Sequence, residues 1–333
     1  MDTIITDKSG IPQAARCLAS GGLVVFPTET VYGLGGNAFD ENAIDNIYKA
    51  KGRPSDNPLI VHIADMTALD DLAEYVPDYA WQLIDKYWPG PMTLVFKKKP
   101  QVISRVTAGM DTVAVRYPSN TIAQQLIRES GVYVAAPSAN LSGSPSPTTA
   151  KHVIDDLYGR VDYIIDGDGC EVGLESTVID ASGEHPVILR PGAVTIEMIK
   201  CVDPMASADK CTVSAQEKPK CPGMKYTHYS PRAEVVVVCG EKKKRAEYIS
   251  RKLAECTDCG VLTYKGGDYN NAAYVADAGD NMVEYAQRLF ACLRQFDEQG
   301  VGTVYAEFCI EGGIGEAVKN RLYKAAGYNV IDV

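Results

Sequence analysis

Gly22-Leu-Val-Val-Phe-Pro-Thr-Glu-Thr-Val-Tyr-Gly-Leu-Gly-Gly-Asn-Ala38 is the stretch on which the fold of the first half of the chain turns. Gly22 to Phe26 reads as a buried strand that Pro27 stops. Gly33-Leu-Gly-Gly-Asn-Ala38 satisfies the dinucleotide-binding pattern G-x-G-x-x-[GA]. That fingerprint works only where the glycines begin at a strand end and open a helix, so that a pyrophosphate meets the helix N-terminus. Here Pro27-Thr-Glu-Thr-Val-Tyr32 intervenes, and the match is a decoy. The plain reading of the glycines is a turn with unusual dihedrals.

Outward from this segment, short apolar runs alternate with helix-like stretches. Ala43 to Lys51 has apolar residues at helical spacing, Leu59–Ile63 and Met92–Phe96 read as strands, and one helix is expected between them from about Met66 to Tyr87. Val113–Arg116, Val132–Ala136, Tyr163–Asp166 and Thr177–Asp180 continue the strands, which indicates an α/β domain with a mixed sheet. From Lys200 to about Arg232 the pattern fails in a Pro-, Ser- and Lys-rich linker. Regular βα alternation then resumes: Glu234–Val238, a helix from Lys242 to Glu255, Gly260–Tyr264, Ala272–Ala276, a helix from Met282 to Glu298, Gly302–Ala306 and a helix from Gly315 to Ala326. This predicts a small, Rossmann-like, doubly wound C-terminal domain.

The 333 residues carry a net charge of −10, and the acidity lies early: 25 acidic against 16 basic residues up to position 200, then 18 against 17. A broad basic face for nucleic acid is excluded, while a local basic pocket is not. No apolar run is long enough to span a membrane and no signal segment opens the chain, so a cytosolic protein with reduced thiols is expected. Of the ten cysteines, Cys256 and Cys259 have CxxC spacing, but no second ligand pair accompanies them, and the spacing reads as chance.

Four loops carry the polar chemistry. Lys49-Ala-Lys51-Gly-Arg53-Pro-Ser-Asp-Asn57-Pro58 packs cations and an amide between prolines, as either an anion site or a solvated helix end. Arg116 ends a strand, the place where α/β proteins put ligand-facing groups. Pro137-Ser-Ala-Asn140-Leu-Ser-Gly-Ser-Pro-Ser146 is dense in hydroxyls and turn formers, and reads as either an oxyanion cradle or a surface turn cluster. Leu189-Arg190-Pro-Gly192 again locks a cation between turn formers. The four histidines show no metal or triad spacing and there is no P-loop, so cations without a nucleophile point to nucleotidyl or phosphoryl transfer.

Phe26-Pro-Thr-Glu-Thr-Val-Tyr-Gly-Leu34, Lys51-x-Arg53-Pro-x-x-Asn57-Pro58, Pro137-Ser-Ala-Asn-x-Ser-Gly143, Glu175-Ser-Thr-Val178 and Leu189-Arg-Pro-Gly192, in this order, resemble the Sua5/YrdC family of L-threonylcarbamoyladenylate synthases. No motif position departs from the pattern. Tyr226-Thr-His228-Tyr229-Ser-Pro231 and the following domain resemble the longer Sua5 type. The resemblance implies a YrdC-like catalytic domain with a basic cavity over 9–200, a linker over 201–232 and a Sua5 domain over 233–333.

It further implies that L-threonine, bicarbonate (or CO2) and ATP combine to threonylcarbamoyl-AMP and pyrophosphate, the first step towards N6-threonylcarbamoyladenosine at position 37 of tRNAs reading ANN codons. By motif position, Thr30, His62, Arg116, Ala136 and Ser176 would hold L-threonine. Arg53, Asn57, Thr112, Ser138, Asn140, Ser146, Arg190 and Tyr229 would hold ATP, with Lys51 and Arg53 as the catalytic cations and Asn140 also near phosphates or bicarbonate. Without the resemblance, His62 reads as an ordinary strand histidine. Mg2+ would ride mainly on the ATP phosphates with no protein ligand, and the linker would close over ATP through Tyr229. The product would pass to a downstream threonylcarbamoyl transferase, so no stable nucleic-acid or membrane binding is expected. An RNA-binding module of YrdC type, or a carbamoyltransferase that processes carbamoyl phosphate, is the alternative; chains of the second kind carry paired CxxC motifs that this sequence lacks.

Overall fold

The apolar run at Val24 divides its side chains between two cores: Val25 faces one, Val24 and Phe26 the other. Such alternation is what a strand buried on both faces requires. The structure, a computed structural model, describes residues 2–209, 229–309 and 312–333. It divides into one unit of Met1–Ser142 with Pro147–Lys225 and a second of Gly143–Ser146 with Tyr226–Val333.

The strands of the first unit are β1 (Ile4–Thr6), β2 (Val24–Phe26), β3 (Gly33–Asn37), β4 (Ile60–His62), β5 (Met92–Lys97), β6 (Thr112–Arg116), β7 (Val134–Ala135), β8 (Tyr163–Ile165), β9 (Thr177–Asp180), β10 (Val187–Arg190) and β11 (Ser207–Ala208). They form one mixed sheet in the order β1-β8-β2-β3-β7-β4-β6-β5-β9-β10-β11. β2 pairs antiparallel with β3, β4 parallel with β6, and β5 antiparallel with β6 but parallel with β9. The helices are α1 (Ile11–Ala19), α2 (Glu41–Lys51), α3 (Leu69–Leu72), α4 (Asp78–Tyr87), α5 (Thr121–Ser130), α6 (Ala150–Leu157) and α7 (Ile196–Lys200). Ile44, Ile47, Leu83, Ile84, Val153 and Leu157 bring α2, α4 and α6 into the larger core, while α1 and α5 pack on each other over Val24, Phe26 and Ile165.

The glycine-rich run is β3 itself, not a turn and not a helix start. None of Gly33, Gly35 and Gly36 has a positive φ. Their service is space: a Cβ on Gly35 would stand 2.7 Å from Val134 Cγ1 and 2.8 Å from Phe26 Cε1. The single helix expected from Met66 to Tyr87 is broken into a 3-10 turn at Met66–Ala68, then α3 and α4. Pro77, extended at ψ 154° before α4, bars the preceding residue from helix, and Ala73 bridges to Lys98 instead. The irregular stretch also starts later than expected, since Ser207–Ala208 adds β11 parallel to β10 and Ala206 is buried. Most of the proposed closing linker, His228 included, lies outside the described residues.

The second unit is a parallel sheet of β12 (Glu234–Cys239), β13 (Cys259–Thr263), β14 (Tyr274–Asp277), β15 (Thr303–Glu307) and β16 (Val330–Asp332) in the order β14-β13-β15-β12-β16, with α8 (Lys242–Ala254), α9 (Met282–Glu298) and α10 (Gly315–Ala325). The architecture is therefore α/β throughout, a mixed sheet followed by a doubly wound one. Cys256 and Cys259 form a disulfide at the mouth of β13, against the expectation of reduced thiols and chance spacing, because the turn into the strand brings their Cα atoms to 5.8 Å. No described helix is long and apolar enough to cross a membrane.

Candidate functional site

Strand period decides which side chains of the first unit meet. On β4, β5, β6 and β9 the residues Val61, Leu94, Phe96, Val115 and Ile179 face the larger core. Ile60, Val95, Ala114 and Val178 face the other side, joined there by Leu189 of β10. Residues two along share a face, so His62, Thr93, Arg116 and Ser176 stand on the same side as this second set. Register confirms the grouping: His62 and Thr93 both lie opposite Arg116. Thr112 shares that face at the far end of β6, about 13 Å along the strand at ~3.3 Å per residue.

Arg116 is not exposed at its strand end. It is 4% exposed and its Nη2 lies 2.8 Å from Oε1 of Glu29, which is 5% exposed. Glu29 sits in the turn between β2 and β3, where Thr28 Oγ1 bonds Thr30 Oγ1 at 2.9 Å and donates to Val31 O at 2.6 Å. His62 is buried, and its Nδ1 donates to Ile60 O at 3.1 Å. Burial, and then the Arg116 charge, lower its pKa to about 3, so the ring is neutral. Ala136 is buried and its N–H donates to Ile60 O.

Beside them Ser176 Oγ shares a 2.7 Å hydrogen bond with Thr93 Oγ1, and buried Arg190 donates from Nε and Nη2 to Ser176 O at 3.2 and 3.0 Å. A bulge between Ile188 and Arg190 in the β9–β10 pairing lets both Leu189 and Arg190 reach this region.

The third group gathers at the end of α2. Asp40 caps the helix by accepting from Asn42 and Ala43 N–H, and Gly52, left-handed at φ 62°, ends it directly after Lys51. Lys51 is buried, so the solvated helix end is excluded. Its Nζ donates to Ser138 O, to Asn140 O at 2.6 Å and to Asn140 Oδ1 at 3.3 Å. The 137–140 loop is held from the other side by Leu34 N–H to Pro137 O and Ala139 N–H to Tyr32 O. Ser138 Oγ donates to Asn140 Oδ1. In the adjoining proline loop, Arg53 Nη2 donates to Pro58 O and Tyr48 OH to Asn57 O, while the buried Oδ1 of Asn57 has no hydrogen-bond partner among the described residues.

Thus His62, Arg116 and Ser176 share one sheet face, with Arg190 bonded to Ser176, Ala136 bonded to Ile60 and Thr30 in the turn that carries Glu29 to Arg116; Lys51, Ser138 and Asn140 form a separate hydrogen-bonded group, with Arg53 and Asn57 in the loop that follows Lys51. Ser146 and Tyr229 belong to the second unit. Tyr229 there is buried at φ 68°, stacked on Phe290 and under the Arg321 guanidinium. Sequence reasoning missed Glu29 and Thr93. Glu29 stood inside a quoted motif without a partner in sight, and Thr93 was a lone hydroxyl in an apolar strand, in phase with Val95. Chemically, the site offers buried cations, hydroxyls and the carboxylate of Glu29, and among its described residues no hydroxyl is set against a basic histidine. Among the described residues, the one cluster of metal-ligand residue types is Cys256, Asp258 and Cys259 in the second unit, and its two sulfurs are joined in the disulfide.

Residues 16–192 match the Sua5_yciO_yrdC family (telomere recombination), and residues 194–327 match the threonylcarbamoyl-AMP synthase C-terminal domain. The chain is 47% identical to the threonylcarbamoyl-AMP synthase of Bacillus subtilis, with 99% of this chain and 96% of that one covered. It is also 47% identical to the enzyme of that name from Pyrococcus abyssi, with 96% and 95% covered. The crystal structure of P. abyssi Sua5 complexed with L-threonine superposes with a TM-score of 0.95 at 46% identity, covering all of both chains.

Proposed function

This chain belongs to the Sua5/YrdC family of threonylcarbamoyl-AMP synthases, and from that premise we propose that it is a nucleotidyltransferase condensing L-threonine, bicarbonate or CO2, and ATP into L-threonylcarbamoyladenylate and pyrophosphate. The observation that carries the reading is the set of buried cations Lys51, Arg116 and Arg190, held by strand ends and backbone carbonyls, with no nucleophile of the protein activated beside them.

The threonine amine attacks the carbon of bicarbonate, water leaves, and a carbamate remains. A carbamate oxygen then attacks the α-phosphorus of ATP and pyrophosphate departs. Both steps bring anions together, so the protein's part is to neutralise charge and fix geometry. Arg116, Thr30, His62, Ala136 and Ser176 would hold L-threonine. Arg53, Asn57, Thr112, Ser138, Asn140 and Arg190 would hold ATP. Lys51 would place its charge where the carbamate meets the phosphates. Glu29 is paired with Arg116, and the residues assigned to the substrates offer cations, amides, an imidazole and hydroxyls, so this donor set fits Mg2+ that would arrive on the nucleotide rather than a resident ion. Such an ion supplies charge neutralisation on the phosphates.

The product, a reactive mixed anhydride, suits transfer to adenosine 37 of tRNAs reading ANN codons by a downstream threonylcarbamoyl transferase in the cytoplasm. An acidic chain that handles only small molecules needs no tRNA-binding face. The test is incubation with ATP, bicarbonate and labelled L-threonine. Labelled threonylcarbamoyl-AMP with equimolar pyrophosphate is expected, and pyrophosphate release that ignores L-threonine would overturn the reading.

A further inference from the structure

The Glu29–Arg116 pair is built for a ligand that carries both charges. Both side chains are more than nine-tenths buried and lie 2.8 Å apart. Yet neither oxygen of Glu29, nor Nε or Nη2 of Arg116, makes a hydrogen bond among the described residues. Buried charges need hydrogen bonds to replace lost water, and a pair kept for stability alone is normally completed by its neighbours. This one is not completed, although its backbone is well fixed: Val172 N–H donates to Glu29 O at 2.8 Å, and Arg116 closes β6 opposite His62 and Thr93.

We propose that Glu29 receives the ammonium group of the amino-acid substrate while Arg116 receives its carboxylate, so that Glu29 sets the specificity for an α-amino acid and aims its nitrogen. The inference rests on the synthase reading and adds a residue to it. A zwitterion presents its two charges in the order that this pair reverses, and it satisfies the open atoms of both partners. A plain carboxylate or a phosphate would satisfy Arg116 but face the Glu29 charge.

Two titratable neighbours of the pair carry no competing negative charge. His62 is neutral, and the Cys170 thiol is pushed up to about 12 by burial and by the Glu29 charge, so neither is an anion at pH 7. Thr30 is fully buried beside Glu29 in the chain, and its hydroxyl already bonds Thr28.

Calorimetric titration of the full chain with L-threonine, with 3-hydroxybutanoate (the same molecule without the amine) and with ATP tests this. Wild type is expected to bind L-threonine and to bind 3-hydroxybutanoate at least ~30-fold more weakly, the worth of one charge-assisted hydrogen bond set. Glu29→Gln is expected to lose at least ~30-fold towards L-threonine, to bind 3-hydroxybutanoate at least as well as wild type because the repelling charge is gone, to bind ATP unchanged, and so to erase the discrimination. Glu29→Asp, which keeps the charge, should restore part of it. The proposal falls if Glu29→Gln binds L-threonine as wild type does, or weakens both ligands equally. It also falls, whatever the variant's folding, if wild type binds 3-hydroxybutanoate as tightly as L-threonine. Wild type that binds no L-threonine would instead remove the synthase reading itself.

Discussion

Lys51→Met is the perturbation whose outcome follows most directly from the structure. The Lys51 ammonium, 2% exposed, donates to two backbone carbonyls, Ser138 O and Asn140 O, and to the Asn140 side chain. Methionine fills nearly the same volume, so no cavity opens, but it donates nothing. Two buried acceptors then lose their partner at about 1–3 kcal/mol each, partly offset because one buried charge is also removed. A net loss of about 3 kcal/mol is expected, which for a unit of this size lowers the melting temperature by roughly 6–12 °C. The 137–140 loop is held by Lys51 on one side and by β3 on the other, so it also loosens where ATP is proposed to bind. Threonylcarbamoyl-AMP formation should fall at least ~100-fold, as when a preorganised charge stabiliser is removed. Thermal unfolding by circular dichroism and product formation from labelled L-threonine are the two assays. A melting temperature within about 2 °C of wild type refutes the stability argument, and normal turnover refutes the placement of the charge.

Gly35→Ala should destabilise the protein by about 1–3 kcal/mol through overpacking against Val134 and Phe26, and more than Gly33→Ala, whose nearest contact would be 3.2 Å; equal urea midpoints for the two variants would refute the close-approach explanation of the glycines. His62 resists a proton that the unfolded chain accepts near pH 6.5, so the unfolded state binds more protons below that value. The stability His62 contributes is therefore complete above pH 6.5 and is lost as the pH falls towards about 3, by up to roughly 1.4 kcal/mol per unit. Urea denaturation at about pH 7 and pH 5 should show a steeper fall for wild type than for His62→Asn, and parallel losses would refute the buried neutral ring.

Much of the site could be read from residue order because a strand's period of two is a local property. Ile60 with His62, Ala114 with Arg116, and Thr93 with Val95 share faces whatever else the chain does, and Pro27 and Gly52 end their elements by their own dihedral preferences. The errors came where a partner distant in the chain overruled a local preference. Glycines that suit a turn became β3, because Phe26 and Val134 press where a Cβ would be. A helical pattern from Met66 to Tyr87 broke at Pro77, and Ala73 gave its bridge to Lys98. CxxC spacing that looked accidental closed as a disulfide.

Residue types and spacing were enough to settle the α/β class, the order of the loops and the family resemblance, since each depends on neighbours a few positions away. Which loops meet depended on the folded sheet. Lys51 reaches Asn140 across 89 positions of chain, and Glu29, in the turn between β2 and β3, meets Arg116 of β6 although β7 and β4 stand between β3 and β6 in the strand order. Burial then turns those meetings into chemistry. A lysine, an arginine and a glutamate that would be ordinary solvated charges on a surface become, with water excluded, groups that must find hydrogen-bond acceptors or partners of opposite charge.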